Sequence, residues 1–247
     1  GTSASPATLL STISTGTETY THSSLTNGTT YYYRISAVDN AGNESDKTSD
    51  ESTIPYIQPV ATEPSGSGTS SDPYLVATLS NLYWVTQNSG NWNKYYKQTA
   101  DIDASATSNW DDGNGGAAEG FSPISNSSTN FTGTYNGQNY TIDGLTINRS
   151  TTYTAMFGYT YGATISNLRI TNVNITGSQY VSGMVGYNRS STISNSYCTG
   201  IITGTGSSGL VGGLIAGSES STLTNCFVNA NITSNYWVGG LIGYDYD

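Results

Sequence analysis

The stretch Thr164–Gly186, TISNLRITNVNITGSQYVSGMVG, returns at Thr192–Ala216 as TISNSYCTGIITGTGSSGLVGGLIA. Ala155-Met-Phe-Gly158, Gly183-Met-Val-Gly186, Gly213-Leu-Ile-Ala216 and Gly240-Leu-Ile-Gly243 start 28, 30 and 27 residues apart. Thr164-Ile-Ser-Asn167, Thr192-Ile-Ser-Asn195 and Thr222-Leu-Thr-Asn225 keep the same step, and Ile175-Thr176, Ile202-Thr203 and Ile232-Thr233 follow them. A period of this length, built from short β-branched segments, predicts a solenoid whose coils bury their apolar residues only against neighbouring coils. Three short strand segments per coil, separated by Gly and Asn turns, predict a right-handed parallel β-helix with coils about 4.8 Å apart.

Alternation then assigns the inward residues. They are Ile165, Leu168 and Ile170 in one coil, Ile193, Ser196 and Cys198 in the next, and Leu223, Cys226 and Val228 in the third. Cys226 aligns with Ser196 and Cys198 with Val228, so the two thiols sit diagonally at about 7–8 Å. That separation is at or beyond the limit for an unstrained disulfide, and two buried free thiols are expected. Asn167, Asn195 and Asn225 align at one turn, where their amides form a stacked ladder or serve a left-handed turn. Thr164/Ser166, Thr192/Ser194 and Thr222/Thr224 fall on the opposite, outward face as two columns of hydroxyls.

Composition agrees with thin cores. Gly, Ser, Thr and Asn make up 125 of 247 residues, 10% of residues are charged and 35% hydrophobic, and 20 are Tyr. A usual soluble domain carries about 25% charged residues. The net charge is −10, yet 12 of the 17 acids lie between 39 and 119, while 121–244 holds only Asp143 and Glu219. The seven cations are scattered, which excludes a basic nucleic-acid footprint. No apolar run reaches the roughly 18 residues of a membrane span. Two Cys and one His exclude a disulfide framework and a Cys/His metal cluster.

Four segments follow: 1–55, a Pro/Gly/Ser linker over 56–70, a lead-in and cap over 71–140, and repeats over 141–247. In the first, strands are expected at Thr17–Tyr20, Thr29–Val38 and Lys47–Thr53. In the lead-in, Leu79, Leu82, Tyr83 and Thr86 fall at helical spacing and predict one short capping helix within 75–87.

The run LTNGTTYYYRISAVDNAGNES (Leu25–Ser45) resembles the second half of a fibronectin type III domain. The resemblance implies a partial β-sandwich and a tyrosine corner at Tyr31, whose hydroxyl ties back to an upstream backbone group. A half-sandwich leaves an open edge, expected where the chain is an excerpt of a longer protein or where a neighbouring chain supplies the missing strands. The Gly-Leu-Ile-Gly and Thr-Ile-Ser-Asn elements, with DPYLVATLSNLYWV and FTGTYNGQNYTIDGLTI before them, resemble the GLUG repeats of large bacterial surface proteins. Filamentous-haemagglutinin-like adhesins and some immunoglobulin A peptidases belong to that group. The resemblance covers about 70–244 and implies no catalytic residues in the repeat.

Asp143 and Glu219 are too far apart in the repeat for the paired carboxylates of glycoside cleavage. His22 is expected on a solvated strand and not in a catalytic triad. Asp101, Asp103, Asp111 and Asp112, beside Gly113–Gly116, form a candidate calcium site through oxygen ligands; no other cofactor is implied. Tyr153, Tyr159, Tyr161, Tyr187 and Tyr244, expected on turns, present ring faces suited to sugars. Nine Asn-x-Ser/Thr motifs occur, at Asn27, Asn43, Asn126, Asn130, Asn139, Asn148, Asn174, Asn188 and Asn231.

The sequence thus reads as a non-enzymatic segment of the extracellular space or bacterial cell surface, adhesive or filament-forming. The expected partners are a host or environmental surface, glycan included, or further copies through the incomplete fibronectin-like piece and the uncapped solenoid end at Asp247. Two other readings are a presenting region of a secreted peptidase or polysaccharide-degrading enzyme, and an ice-binding face formed by the Thr/Ser columns.

Overall fold

The computed structural model describes residues 1–17, 19–26, 29–55, 60–111 and 118–246. They fall into two compact units that part between Ile57 and Gln58. In the first, Tyr31–Tyr33 pairs antiparallel with Glu51–Thr53, Tyr31 opposite Thr53. The expected strands are longer than those formed. Beyond Tyr33 the ladder is half kept: Thr48 N–H donates to Ile35 O at 2.9 Å and Ser45 N–H to Ala37 O at 2.8 Å, while Ile35 N–H donates to Thr48 Oγ1 and Ala37 N–H to Ser45 Oγ, each at 3.0 Å. Ser and Thr compete with strand pairing in this way when their hydroxyls reach the backbone. No strand forms among the described residues of 17–20. The Tyr31 hydroxyl accepts from the Thr26 N–H at 3.0 Å, a bond to upstream backbone.

The second unit is a parallel β-solenoid of about four turns with about 28 residues per turn. A hydroxyl sheet stacks Tyr74–Val76, Tyr95–Gln98, Thr134–Asn136, Thr164–Ser166, Thr192–Ser194 and Thr222–Thr224 in that order. A long sheet stacks Ile102–Asp103, Thr141–Asp143, Arg169–Gly177, Tyr197–Gly204 and Phe227–Thr233, with Thr146–Arg149 also pairing with Arg169–Gly177. A tyrosine sheet stacks Phe157–Tyr161, Val185–Arg189, Ile215–Glu219 and Ile242–Asp245. Val181–Ser182, Leu210–Gly212 and Trp237–Gly239 form a short fourth sheet.

Each full coil therefore has four strands, where spacing alone predicts three. The fourth is two or three residues long, too short for an alternation to show. The long strand is kinked at Val173, where the register with its neighbour shifts. There Asn172 has φ +52° and Gly200 has φ +135°. A Cβ on Gly200 would collide with the Val173 backbone, so glycine is what lets the two coils keep contact across the bulge.

Register confirms the alignment of the repeat. Ile165 faces Ile193 and Ile193 faces Leu223, and Ile170, Cys198 and Val228 follow one another. Ile165, Leu168, Ile170, Ile193, Ser196 and Cys198 are buried; each large apolar side chain so placed contributes about 1.5–3 kcal/mol. Both cysteines are free. Cys226, expected to be buried, is only half-buried. Leu223 and Val228 in the same coil are half-buried too.

The lead-in supplies strands to the same sheets and an aromatic plug at one end. Tyr96 stacks on Tyr135 with centroids 6.3 Å apart, and Phe131 meets Phe157 at 4.9 Å. The helix spans Leu79–Gln87, with Thr78 Oγ1 capping Asn81 N–H at 3.1 Å. It buries Leu82, Tyr83 and Val85, and Tyr83 packs edge-on against Trp110 at 5.1 Å. Among the described residues no helix is long and apolar enough to cross a membrane.

Candidate functional site

The outward face of the hydroxyl sheet carries the predicted columns. Thr134, Thr164, Thr192 and Thr222 stand in one line, and Asn136, Ser166, Ser194 and Thr224 in the next. Both lines run further than the repeat reveals: Tyr95 precedes Thr134 in the first, and Leu75 and Lys97 precede Asn136 in the second. The signal for this extension was the Thr134-Tyr135-Asn136 triplet, which has the polar-apolar-polar pattern of Thr164-Ile165-Ser166. Thr164, Thr192, Thr222 and Thr224 are exposed, Ser166 and Ser194 half-exposed.

The turn after this sheet combines both readings of its asparagines. Asn167, Asn195 and Asn225 have φ of +51°, +49° and +54°, a conformation that Asn adopts more readily than other side chains. Asn225 Nδ2 donates to Asn195 Oδ1 and Asn167 Nδ2 to Asn136 Oδ1, each at 3.1 Å. One residue on, Ser196 Oγ donates to Ser194 O at 2.8 Å, and Cys226 Sγ, at the same position one coil later, reaches Thr224 O at 3.4 Å.

The four acids proposed for calcium do not share one described site. Asp101 Oδ1 accepts the Thr141 N–H at 2.7 Å, and Asp103 Oδ1 accepts the Ser105 N–H at 2.9 Å. The Ser105 bonds hold the Asp103 carboxyl below its usual range. Asp112 lies outside the described residues. Among the described residues no three His, Cys, Asp or Glu side chains group as metal ligands.

Tertiary structure does bring Asp103 beside Asp143 as ladder partners. No sequence spacing within the repeat reports that pair, because the coil that holds Asp103 precedes it. Asp143 Oδ1 accepts from Thr171 Oγ1 and from Asn172 Nδ2 at 2.7 Å. His22 lies off any strand, half-buried, with Nδ1 2.9 Å from the Tyr33 hydroxyl.

The tyrosines expected on turns lie mostly on strands of the tyrosine sheet. Tyr159, Tyr187, Gly217 and Tyr244 share one column, and Tyr161, Arg189 and Glu219 the next. Their faces are largely taken by one another: Tyr159 stacks on Tyr187 at 5.0 Å, and Tyr153 meets Tyr180 at 5.0 Å. A side chain at 217 would strike the Tyr187 ring, which leans over that glycine. The Tyr187 hydroxyl donates to Glu219 Oε2 at 2.9 Å, while Arg189 pairs with Glu219 at 3.1 Å. Burial and the Glu219 carboxylate push the Tyr187 phenol well above its ordinary value.

Beneath this face runs a buried polar line that sequence reasoning missed. Thr160, Asn188 and Ser218 are ladder partners, and Thr160 Oγ1 donates to Asn188 Oδ1 at 2.7 Å. A column of neutral hydrogen-bonding groups inside and out, repeated coil by coil, is the chemical character of this solenoid.

The chain is similar to part of halomucin. The match to halomucin of Haloquadratum walsbyi is 42% identical over 116 residues and covers 45% of this chain and 1% of halomucin. The chain thus spans a very small fraction of halomucin's length. No family model matches the chain. Among solved structures, a Bacteroides ovatus protein provisionally named an immunoglobulin A1 protease is similar with a TM-score of 0.48 and 20% identity. That likeness covers 73% of this chain and 55% of the other.

Proposed function

We propose that this chain is a non-enzymatic segment of an extracellular or cell-surface protein, whose outward hydroxyl columns adhere to a hydrated surface or a glycan. The observation that carries this reading is the register of Thr134, Thr164, Thr192 and Thr222 with Asn136, Ser166, Ser194 and Thr224. Neutral donors and acceptors about 4.8 Å apart along each column form a flat, periodic, multivalent surface. Weak hydrogen bonds summed over such an array give avidity that a single contact lacks. The similarity to part of halomucin supports a role within a much larger protein. On this reading the repeat over 141–247 is GLUG-like and residues 1–55 are a fibronectin-like spacer.

The test is retention on cellulose, chitin and silica particles together with a glycan array, for wild type and for Thr164→Lys with Thr192→Lys. Binding by wild type that the double variant loses, with its circular dichroism unchanged, supports the reading. Equal retention of both proteins on every material defeats it.

A further inference from the structure

Eight of the nine Asn-x-Ser/Thr motifs fall within the described residues; Asn27 does not. Their number means little in a chain so rich in Asn, Ser and Thr, but their placement sorts them. Asn43 Nδ2 donates to Asp39, Asn126 Oδ1 accepts two backbone N–H groups, Asn130 Nδ2 donates to Asn126 O, and Asn139 Oδ1 accepts from Arg169. Asn188 is buried against Thr160. The remaining three, Asn148, Asn174 and Asn231, are exposed, and among the described residues their side chains hold no hydrogen bond.

All three lie on the outward face of the long sheet. Asn174 and Asn231 flank Ile201 in one line across the coils, and Asn148 stands beside Thr176 in the next. On a strand, residues i and i+2 share a face, so the Thr176 and Thr233 hydroxyls that complete the motifs point outward with their asparagines. Ile201 is 50% exposed, an apolar side chain on an otherwise polar line. It lies within about 5 Å of both acceptor strands, the reach of one sugar ring.

We infer that Asn174 and Asn231, with Asn148 beside them, are N-glycosylated, so that saccharide covers Ile201 and coats this face of the solenoid. The donor class is an oligosaccharide linked to a polyisoprenyl phosphate. Nδ2 attacks the anomeric carbon, the bond from that carbon to the phosphate oxygen breaks, and phosphate leaves with the electron pair. One amide proton passes to the base of the transferring enzyme. Asn174 is laddered on both sides, so transfer precedes closure of its coil, and the closed fold favours chains whose modified asparagines are exposed and bonded to no other group. A chain modified at Asn188 cannot bury that residue and is absent from the folded pool. The inference rests on the extracellular reading above, since the donor and its enzyme act on exported chains.

The experiment fractionates the cells that make the protein and measures intact mass and glycopeptides of wild type, Asn174→Gln and Asn231→Gln. Surface protein heavier than its polypeptide, with glycan at Asn174 and Asn231, none at Asn188, and one glycan lost per variant, is expected. Surface protein unmodified at Asn174 and Asn231 overturns the inference while leaving the extracellular reading intact. Protein confined to the cytoplasm overturns both. As a second readout, light scattering of the unglycosylated triple variant, Asn148→Gln with Asn174→Gln and Asn231→Gln, should show self-association that Ile201→Ser removes; monomeric behaviour of the triple variant contradicts the covering role.

Discussion

Gly183 faces the Cys198 thiol across the core, and a Cβ on Gly183 would fall inside the sulfur. One coil later Gly213 stands in the same relation to Val228. In these two coils the glycine that opens the element is thus the socket for the side chain inward from the long sheet. Gly183→Ala should cost about 1–3 kcal/mol through overpacking. Cys198→Ala in the same chain should recover part of that loss, so that the double variant is less destabilised than the sum. Urea midpoints for the four proteins measure the coupling.

The two thiols should differ in reactivity. Burial pushes the Cys198 thiol up to about 12, and burial also raises Cys226, though that residue is half-exposed. Native protein treated with iodoacetamide at pH 8 should label at Cys226 slowly and at Cys198 not at all. Denatured protein, without reductant, should label at both. Mass spectrometry reads the result, and absence of both labels would show a disulfide.

Alkaline stability follows from the same burial. A thiol with a folded value near 12 against 9.0 unfolded remains protonated in the fold while the unfolded chain ionises. The unfolded state then binds fewer protons, and stability falls as pH rises from about 9 toward 12. The slope is about 1.4 kcal/mol per pH unit for each such group. The buried phenols of Tyr96 and Tyr135, both raised by desolvation, act in the same direction above about 10. Cys198→Ala should flatten the decline between pH 9 and 10, seen in melting temperature.

Arg149 is a buried cation that ties the lead-in to the first coil. Its guanidinium donates to Gly120 O at 3.0 Å and Phe121 O at 3.2 Å, and pairs with Glu119 at 2.8 Å. Arg149→Ala leaves two carbonyls and a carboxylate without this donor and should cost about 3 kcal/mol. Arg149→Lys should recover only a part, because a single ammonium cannot span the fork. Chemical denaturation gives the ordering.

Asn195 separates the two roles of its turn. Asn195→Gly keeps the left-handed backbone and loses the amide that accepts from Asn225, whereas Asn195→Ala loses both. Alanine should therefore cost about 1 kcal/mol more than glycine, measured by urea unfolding.

Much of the repeat was legible because burial in a solenoid is periodic in the chain. Ile165, Ile193 and Leu223 align in sequence and stack in space, as do the Thr and Ser residues beside them. The helix at Leu79–Gln87 was legible from the spacing of Leu79, Leu82, Tyr83 and Thr86, whereas its Thr78 cap is a finding of the structure. Less visible was whatever depends on a partner strand. Residues 34–38 alternate like a strand, yet the Ile35 and Ala37 N–H groups go to the Thr48 and Ser45 side chains and only their carbonyls keep backbone partners. The tyrosines read as turn residues stand on a sheet, since Gly217 and the mutual stacking of Tyr159 and Tyr187 make room for them only once the coils are stacked.

The sequence by itself determined the period, the inward and outward faces and the register of the coils, because each is a local alternation repeated at a constant step. Only the tertiary structure decided which groups from different coils meet. Asp103 beside Asp143 and Ile201 between Asn174 and Asn231 are such outcomes. The physical reason is that a neighbour one coil away is near in space but about 28 residues distant in the chain, so its identity depends on how the lead-in and the bulge at Val173 set the stacking of the coils.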